Sequence, residues 1–238
     1  MQPSKTENGE VTESNDKRST QTERVLPAGE PETIRAAVRI LRDGGVLAVP
    51  TDTVFGLVCL YESEAAIRRM VEIKGRTPNT KPLPLLLGSA AELPLVTSDV
   101  PAMVWPLIYA HWPGPLTIVF TAKESLSRLI TAGSGTMGAR VPANPDVLDI
   151  LEAVGLPLAS TSANRTGMAP TVNEAYVTAQ LGEAVDLVVR PRPGVISGTA
   201  STVVDLTTMP ALIRRRGDVT PAEIRQALGT RVDIAPDA

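Results

Sequence analysis

Val46-Leu47-Ala48-Val49-Pro50-Thr51-Asp52-Thr53-Val54-Phe55-Gly56-Leu57-Val58-Cys59-Leu60 is the stretch from which the fold of this 238-residue chain can be read. Val46 to Val49 and Gly56 to Leu60 are short apolar runs, and they predict two buried strands. The turn between them carries two threonines and one carboxylate. Upstream, Ile34, Val38 and Leu41 fall at helical spacing over Pro31 to Arg42, and Gly44-Gly45 provides the stop. Downstream, Ser63 is placed to cap a helix carrying Ile67, Met70 and Val71, which ends at Lys74-Gly75.

The same alternation continues to about Leu228. Strands are expected at Leu83 to Leu87, Leu116 to Thr121, Met137 to Val141, Leu158 to Ser160, Leu187 to Val189, Thr202 to Leu206 and Ala211 to Arg214. Pro84 argues that Leu83 to Leu87 lies at a sheet edge. Asn144 to Gly155 reads as a helix, and Ser89, Thr171 and Thr220 each precede a glutamate by three residues, the pattern of a capping box. Interleaved strands and helices without internal repeats indicate an α/β single domain over about residues 30–220. Residues 221–238 are expected to add a helix and a short tail. Residues 1–29 are polar and without periodicity, so a disordered N-terminal tail is expected there.

The totals narrow the function. A net charge of −3 leaves no global basic field to attract nucleic acid, so any RNA contact is expected to be weak. The single cysteine, Cys59, excludes an internal disulfide and a cysteine-rich zinc site, and fits a cytoplasmic setting. No apolar stretch approaches the roughly 18 residues needed to cross a bilayer, so no membrane contact is expected.

Several polar segments admit both a bland and a chemical reading. Thr51-Asp52-Thr53 is read from composition alone as a side-chain-capped turn. Lys74-Gly75-Arg76 reads as a solvated helix end, where cations suit the dipole. Together with Lys81, however, these segments gather hydroxyls and cations as an anionic, polyoxygenated ligand requires, most simply a nucleotide phosphate. Arg140 lies near the end of a strand and can grip a carboxylate through two parallel hydrogen bonds. Ser160-Thr161-Ser162-Ala163-Asn164 forms a second hydroxyl-rich turn. Neither a metal cluster nor a Ser/His/Asp arrangement is evident, since His111 is the sole histidine and is read as structural.

In order and spacing these segments resemble the YrdC/Sua5 family, over about residues 31 to 220. The carrying motifs are Pro50-Thr51-Asp52-Thr53-Val54-Phe55-Gly56-Leu57, Lys74-Gly75-Arg76 with Lys81-Pro82-Leu83, Thr136-Met137-Gly138-Ala139-Arg140-Val141-Pro142, Ser162-Ala163-Asn164, Ser201-Thr202-Val203-Val204-Asp205 and Arg215-Arg216-Gly217. The resemblance implies a twisted mixed sheet flanked by helices, with an open, positively lined cavity. It implies synthesis of threonylcarbamoyl-AMP from L-threonine, bicarbonate and ATP, with Mg2+ accompanying the nucleotide. Partner proteins then use the product to modify adenosine in tRNA.

By the same resemblance, Thr53, Arg140, Ser162 and Ser201 face the amino acid. Arg76, Lys81, Thr136, Asn164, Thr171 and Arg215 face ATP, and Lys74 and Arg76 act in catalysis. Three departures from the family pattern stand near these positions: Phe55 for a tyrosine, Val58 for a glycine, and an inserted Thr77 that alters the path to Lys81. They keep a paralogue of different specificity open as an alternative, alongside an RNA-binding module without synthase activity. A carbamoyltransferase of the hydrogenase-maturation type is disfavoured by the single cysteine and single domain.

Overall fold

A computed structural model describes residues 24–78, 80–194 and 196–236. Its Gly56–Leu60 strand is buried at every position. Leu57 and Cys59 enter one apolar layer with Phe55, Ile67 and Met70, whereas Val58 and Leu60 join Leu41, Leu47, Ile150 and Leu158 in another. A strand apolar on both faces needs packing elements on each side, and that requirement builds the layered α/β architecture.

Among the described residues eleven strands make one mixed sheet. In chain order they are β1 (Val25–Pro27), β2 (Leu47–Val49), β3 (Gly56–Leu60), β4 (Leu85–Leu86), β5 (Leu116–Thr121), β6 (Thr136–Arg140), β7 (Leu158–Ser162), β8 (Leu187–Arg190), β9 (Thr202–Asp205), β10 (Ala211–Arg215) and β11 (Val232–Ile234). Across the sheet they run β1-β8-β2-β3-β7-β4-β6-β5-β9-β10-β11. The helices are α1 (Pro31–Arg42), α2 (Glu64–Ile73), α3 (Leu93–Val96), α4 (Trp105–His111), α5 (Arg128–Thr131), α6 (Pro145–Val154), α7 (Glu174–Leu181) and α8 (Pro221–Leu228). The result is the expected twisted sheet flanked by helices.

Local chemistry accounts for the boundaries. The Ser63 hydroxyl accepts from Ala66 N at 3.3 Å, and α2 is followed by Gly75 at φ +67°, a left-handed stop. Asn144 caps α6 through Asp146 N at 2.8 Å. Thr220 and Glu223 make the reciprocal capping box that starts α8. The other two expected boxes do not form. Asn173, rather than Thr171, caps α7 by accepting from Ala175 N and Tyr176 N, because the helix begins at Glu174 and Asn173 is the residue before it. Ser89 precedes a 3-10 turn, and Glu92 instead accepts from Gly88 N at 3.1 Å.

Three further expectations are corrected. β4 is central, between β7 and β6, not at an edge. Pro84 stands just outside the two-residue strand, so its missing N–H interrupts no ladder, while its carbonyl accepts from Ser160 N at 2.9 Å. β11 was expected as tail, yet Val232 to Ile234 pair in parallel with Ala211 to Ile213. At the other end, Val25 to Pro27 fall within the expected tail but pair in parallel with Val188 to Arg190. Residues 1–23 of that tail lie outside the described residues. Deleting residues 1–29 should therefore lower the melting temperature by roughly 3–5 °C relative to deleting 1–23, since it uncovers the edge of β8. Equal melting temperatures would show that β1 contributes nothing.

Candidate active site

A cleft of about 280 Å³ opens over the middle of the sheet. Its walls come from neighbouring strands: Gly56 of β3, Ser162 of β7, Leu86 of β4, Arg140 of β6, Thr117 of β5, Ser201 just before β9, and Arg215 of β10. The loop from α2 to β4 adds Arg76 and Lys81. Four cationic side chains thus converge in a chain of net charge −3. Hydroxyls of Thr53, Thr117, Ser162 and Ser201 stand among them.

The β2–β3 turn serves structure and site together. Thr51 is the capping residue: its hydroxyl accepts from Thr53 N and Val54 N, both at 3.2 Å, and donates to Val54 O at 2.6 Å. That leaves Thr53 and Asp52 to meet Arg140. The Arg140 guanidinium is 5% exposed. It donates to Gly114 O at 2.9 Å, to Thr53 Oγ1 at 3.0 Å, and to Asp52 Oδ1 in a close ion pair. Three of its five N–H groups are engaged, and one on each terminal nitrogen is left for a ligand. Burial lowers the Arg140 pKa, while Asp52 acts in the opposite direction. Burial also lowers that of Arg215, with the Arg140 charge adding to the effect. An anion bound between the buried Arg140 and the more exposed Arg215 would favour both charges.

Lys74 departs from the bland reading altogether. As the residue following α2 it is 2% exposed, and its ammonium turns inward. It donates to Ser162 O at 2.6 Å, Ser162 Oγ at 2.8 Å and Asn164 Oδ1 at 2.7 Å. The Asn164 amide donates in turn to Arg165 O at 3.0 Å and Met168 O at 2.5 Å, which turns its oxygen toward the lysine. With no carboxylate among these partners, burial pushes the Lys74 pKa down to about 8, and the Arg76 charge adds to the shift.

That titration has a consequence for the cleft. An ammonium gives three protons, whereas a neutral amine gives two and accepts one. Ser162 O and Asn164 Oδ1 can only accept, so the Ser162 hydroxyl must turn to donate to the neutral nitrogen, away from the cleft that it lines. Turnover is expected to fall as pH rises through about 8. Stability moves the other way. The unfolded lysine titrates near 10.5, so the burial cost is full below about 8 and shrinks from there to 10.5. A turnover profile flat across this window would disconnect Lys74 from the cleft.

Of the sequence-predicted residues, Thr53, Arg76, Lys81, Arg140, Ser162, Ser201 and Arg215 all line the cleft. Lys81 reaches it despite the Thr77 insertion, whose loop is closed by Thr80 Oγ1 donating to Thr77 O at 2.8 Å. Lys74 and Asn164 sit behind Ser162. Thr136 lines an adjoining cavity of about 490 Å³, which shares Pro82, Pro84, Thr117 and Arg215 with the cleft. Thr171 offers the turn its carbonyl, which accepts from Phe55 N at 2.9 Å, while its hydroxyl accepts from Asn173 N at 3.0 Å. Of the departures, Phe55 does line the cleft, but the Val58 side chain packs in the opposite apolar layer and does not line it. Sequence reasoning missed Asp52 as a site residue, although a carboxylate between two threonines is a visible signal. It gave no individual role to Gly114 and Thr117, which lie in the Trp112 to Thr117 segment that the family resemblance assigns to the pocket wall.

With the geometry in hand, comparisons with known proteins decide the family. The Sua5/YciO/YrdC family model, described as telomere recombination, matches residues 39–217. The chain belongs to the Sua5/YciO/YrdC family. Threonylcarbamoyl-AMP synthase of Klebsiella pneumoniae is 38% identical over 66% of this chain and 83% of that protein. The Pyrococcus abyssi synthase is 33% identical over 82% of this chain, which spans 57% of its length. A crystal structure of P. abyssi Sua5 complexed with L-threonine superposes with a TM-score of 0.84 at 31% identity, covering 89% of this chain and 62% of that one. The Sua5/YciO/YrdC assignment agrees with the motif order read from the sequence.

Proposed function

We propose that this chain is an L-threonylcarbamoyladenylate synthase, a nucleotidyltransferase acting in the cytoplasm on L-threonine, bicarbonate and ATP. The observation that carries the reading is the cleft's charge. Arg76, Lys81, Arg140 and Arg215 line a space with no Asp or Glu among its described lining residues, and the Asp52 carboxylate is engaged by Arg140. Bicarbonate and the threonine amine give N-carboxy-threonine and water. The carboxylate of this new carbamate attacks the α-phosphorus of ATP, and the bond to the β-phosphate oxygen breaks to release pyrophosphate, which leaves the α-carboxylate free for Arg140. The chain supplies alignment and charge neutralisation, with no covalent intermediate.

In this proposal Arg140, Thr53 and Ser201 hold the amino acid, while Arg76, Lys81 and Arg215 meet the phosphates. The nucleotide extends past Arg215 toward Thr136 in the adjoining cavity. Lys74 acts through Ser162 and is a positioning residue. Among the described residues no group of three or more His, Cys, Asp and Glu side chains is placed to hold a metal ion. Mg2+ would accordingly arrive on the triphosphate, where it neutralises phosphate charge. Partner proteins would carry the product onward to tRNA. The test is pyrophosphate release from ATP with each amino acid, with and without bicarbonate. Release dependent on both threonine and bicarbonate is expected; release with another amino acid would make the chain a paralogue of different specificity, and none at all would end the reading.

A further inference from the structure

Thr117 is 4% exposed, lies on β5, and borders both the cleft and the adjoining cavity. Its hydroxyl is 2.8 Å from that of Ser201. Ser201 Oγ also accepts from Arg215 Nη2 at 3.0 Å, and its carbonyl accepts from Arg215 Nε at 2.9 Å. Arginine can only donate, so the proton count over this chain is fixed. If Thr117 donates to Ser201, Ser201 already accepts two hydrogen bonds and its own proton faces onward. If Ser201 donates to Thr117, the Thr117 proton does. Either way one O–H beside Arg215 has no protein acceptor among the hydrogen bonds of the described residues, and both side chains border the cleft.

We propose that Thr117 donates to Ser201 and is thereby a positioning residue that aims the Ser201 O–H at an acceptor oxygen of the bound substrate, a carboxylate or carbonyl oxygen of the amino-acid moiety. This rests on the synthase reading for the identity of the substrate. Backbone packing holds the relay in place. A Cβ at Gly217 would meet Ala200 O at 2.2 Å and Thr202 N at 2.5 Å, so only glycine lets the turn after Arg215 press against Ser201. A Cβ at Gly138 would meet the Thr117 methyl at 2.9 Å, so Gly138 leaves room for the Thr117 rotamer.

The test compares Thr117→Val, Thr117→Ser, Gly138→Ala and Ser201→Ala, and adds Thr117→Val in the Ser201→Ala background. L-threonine binding by calorimetry and KM for threonine are measured, with melting temperature recorded. Thr117→Val should weaken threonine binding about tenfold, the scale of one well-placed hydrogen bond, while Thr117→Ser stays near wild type. Gly138→Ala should act in the same direction as Thr117→Val. In the Ser201→Ala background Thr117→Val should add less than about twofold, because the relay is already cut. Wild-type affinity in Thr117→Val, or an equal loss in both backgrounds, overturns the proposal. Should Thr117→Val fail to fold, the Thr117→Ser and Gly138→Ala pair decides: both at wild-type affinity, or both equally impaired, overturns it. Wild-type protein that binds threonine but releases no pyrophosphate would sink the synthase reading and leave the relay to be judged by binding. No threonine binding in the wild type would overturn both.

Discussion

Arg140→Ala is expected to raise the L-threonine requirement by between about 30-fold and a few thousand-fold, the range for removing one member of a buried charge pair. The ATP requirement should change much less, and Arg215→Ala should show the reverse pattern. Two effects combine at Arg140. Substrate loses its carboxylate partner, and Asp52 loses the cation it pairs with, its Oδ2 being buried and without a hydrogen-bond partner among the described residues. The second effect belongs to the fold. With side chains 6% and 16% exposed, breaking the pair costs about 3–5 kcal/mol, enough to lower the melting temperature by roughly 6–20 °C. Adding Asp52→Asn removes the stranded charge, so the double variant should regain most of the stability and none of the threonine affinity. Lysine at 140 should recover only part, because an ammonium lacks the planar two-pronged contact. An Arg140→Ala protein with normal threonine saturation and a raised ATP requirement would show that the two subsites are assigned the wrong way round.

Lys74→Met should lose turnover by about two orders of magnitude while melting no more than roughly 12 °C below wild type. The stability terms oppose one another. Methionine abolishes hydrogen bonds to Ser162 O and Asn164 Oδ1, each worth about 1.5–3 kcal/mol when the donor is charged. It also removes the cost of burying an ammonium whose pKa is held at about 8 rather than 10.5, a cost of roughly 3 kcal/mol. Turnover has no such compensation. Ser162 loses the cation that orients it, and the 164–168 segment loses the anchor that holds Asn164. The comparison to make is kcat and melting temperature on the same preparation. A folded Lys74→Met enzyme with near-normal kcat would reduce Lys74 to a scaffold residue.

The contrast between these two residues shows where sequence reading stops. Arg140 was recognisable because its spacing to Thr136 and Pro142 follows a family pattern, and its proposed role needs no partner to be known. Lys74 is marked for catalysis by the same resemblance, but its own surroundings in the sequence read as an exposed helix end, so nothing local shows that the charge is buried. Burial of that charge depends on the β7 turn folding back over α2, an arrangement of residues about ninety positions apart. Pro84 misled for a related reason: proline marks where a ladder bond is missing, but only the neighbouring strands decide whether that bond was needed.

What the sequence by itself determined is the set of local structures and their layering. Continuous apolar runs within Val46 to Leu60 set strands buried on both faces, helical spacing set α1 and α2, and caps at Ser63, Asn144 and Thr220 placed helix starts. Those outcomes depend on backbone sterics, side-chain period and hydrogen bonds within a few residues. Tertiary structure alone decided that Asp52, Gly114 and Thr53 would share one guanidinium, that Thr117 would meet Ser201, and that Val25 to Pro27 would pair with β8. Each of these joins segments separated by 26 to 163 positions. Which partners meet is set by strand order across the sheet, and strand order follows from the packing of both apolar layers at once, not from any single stretch of chain.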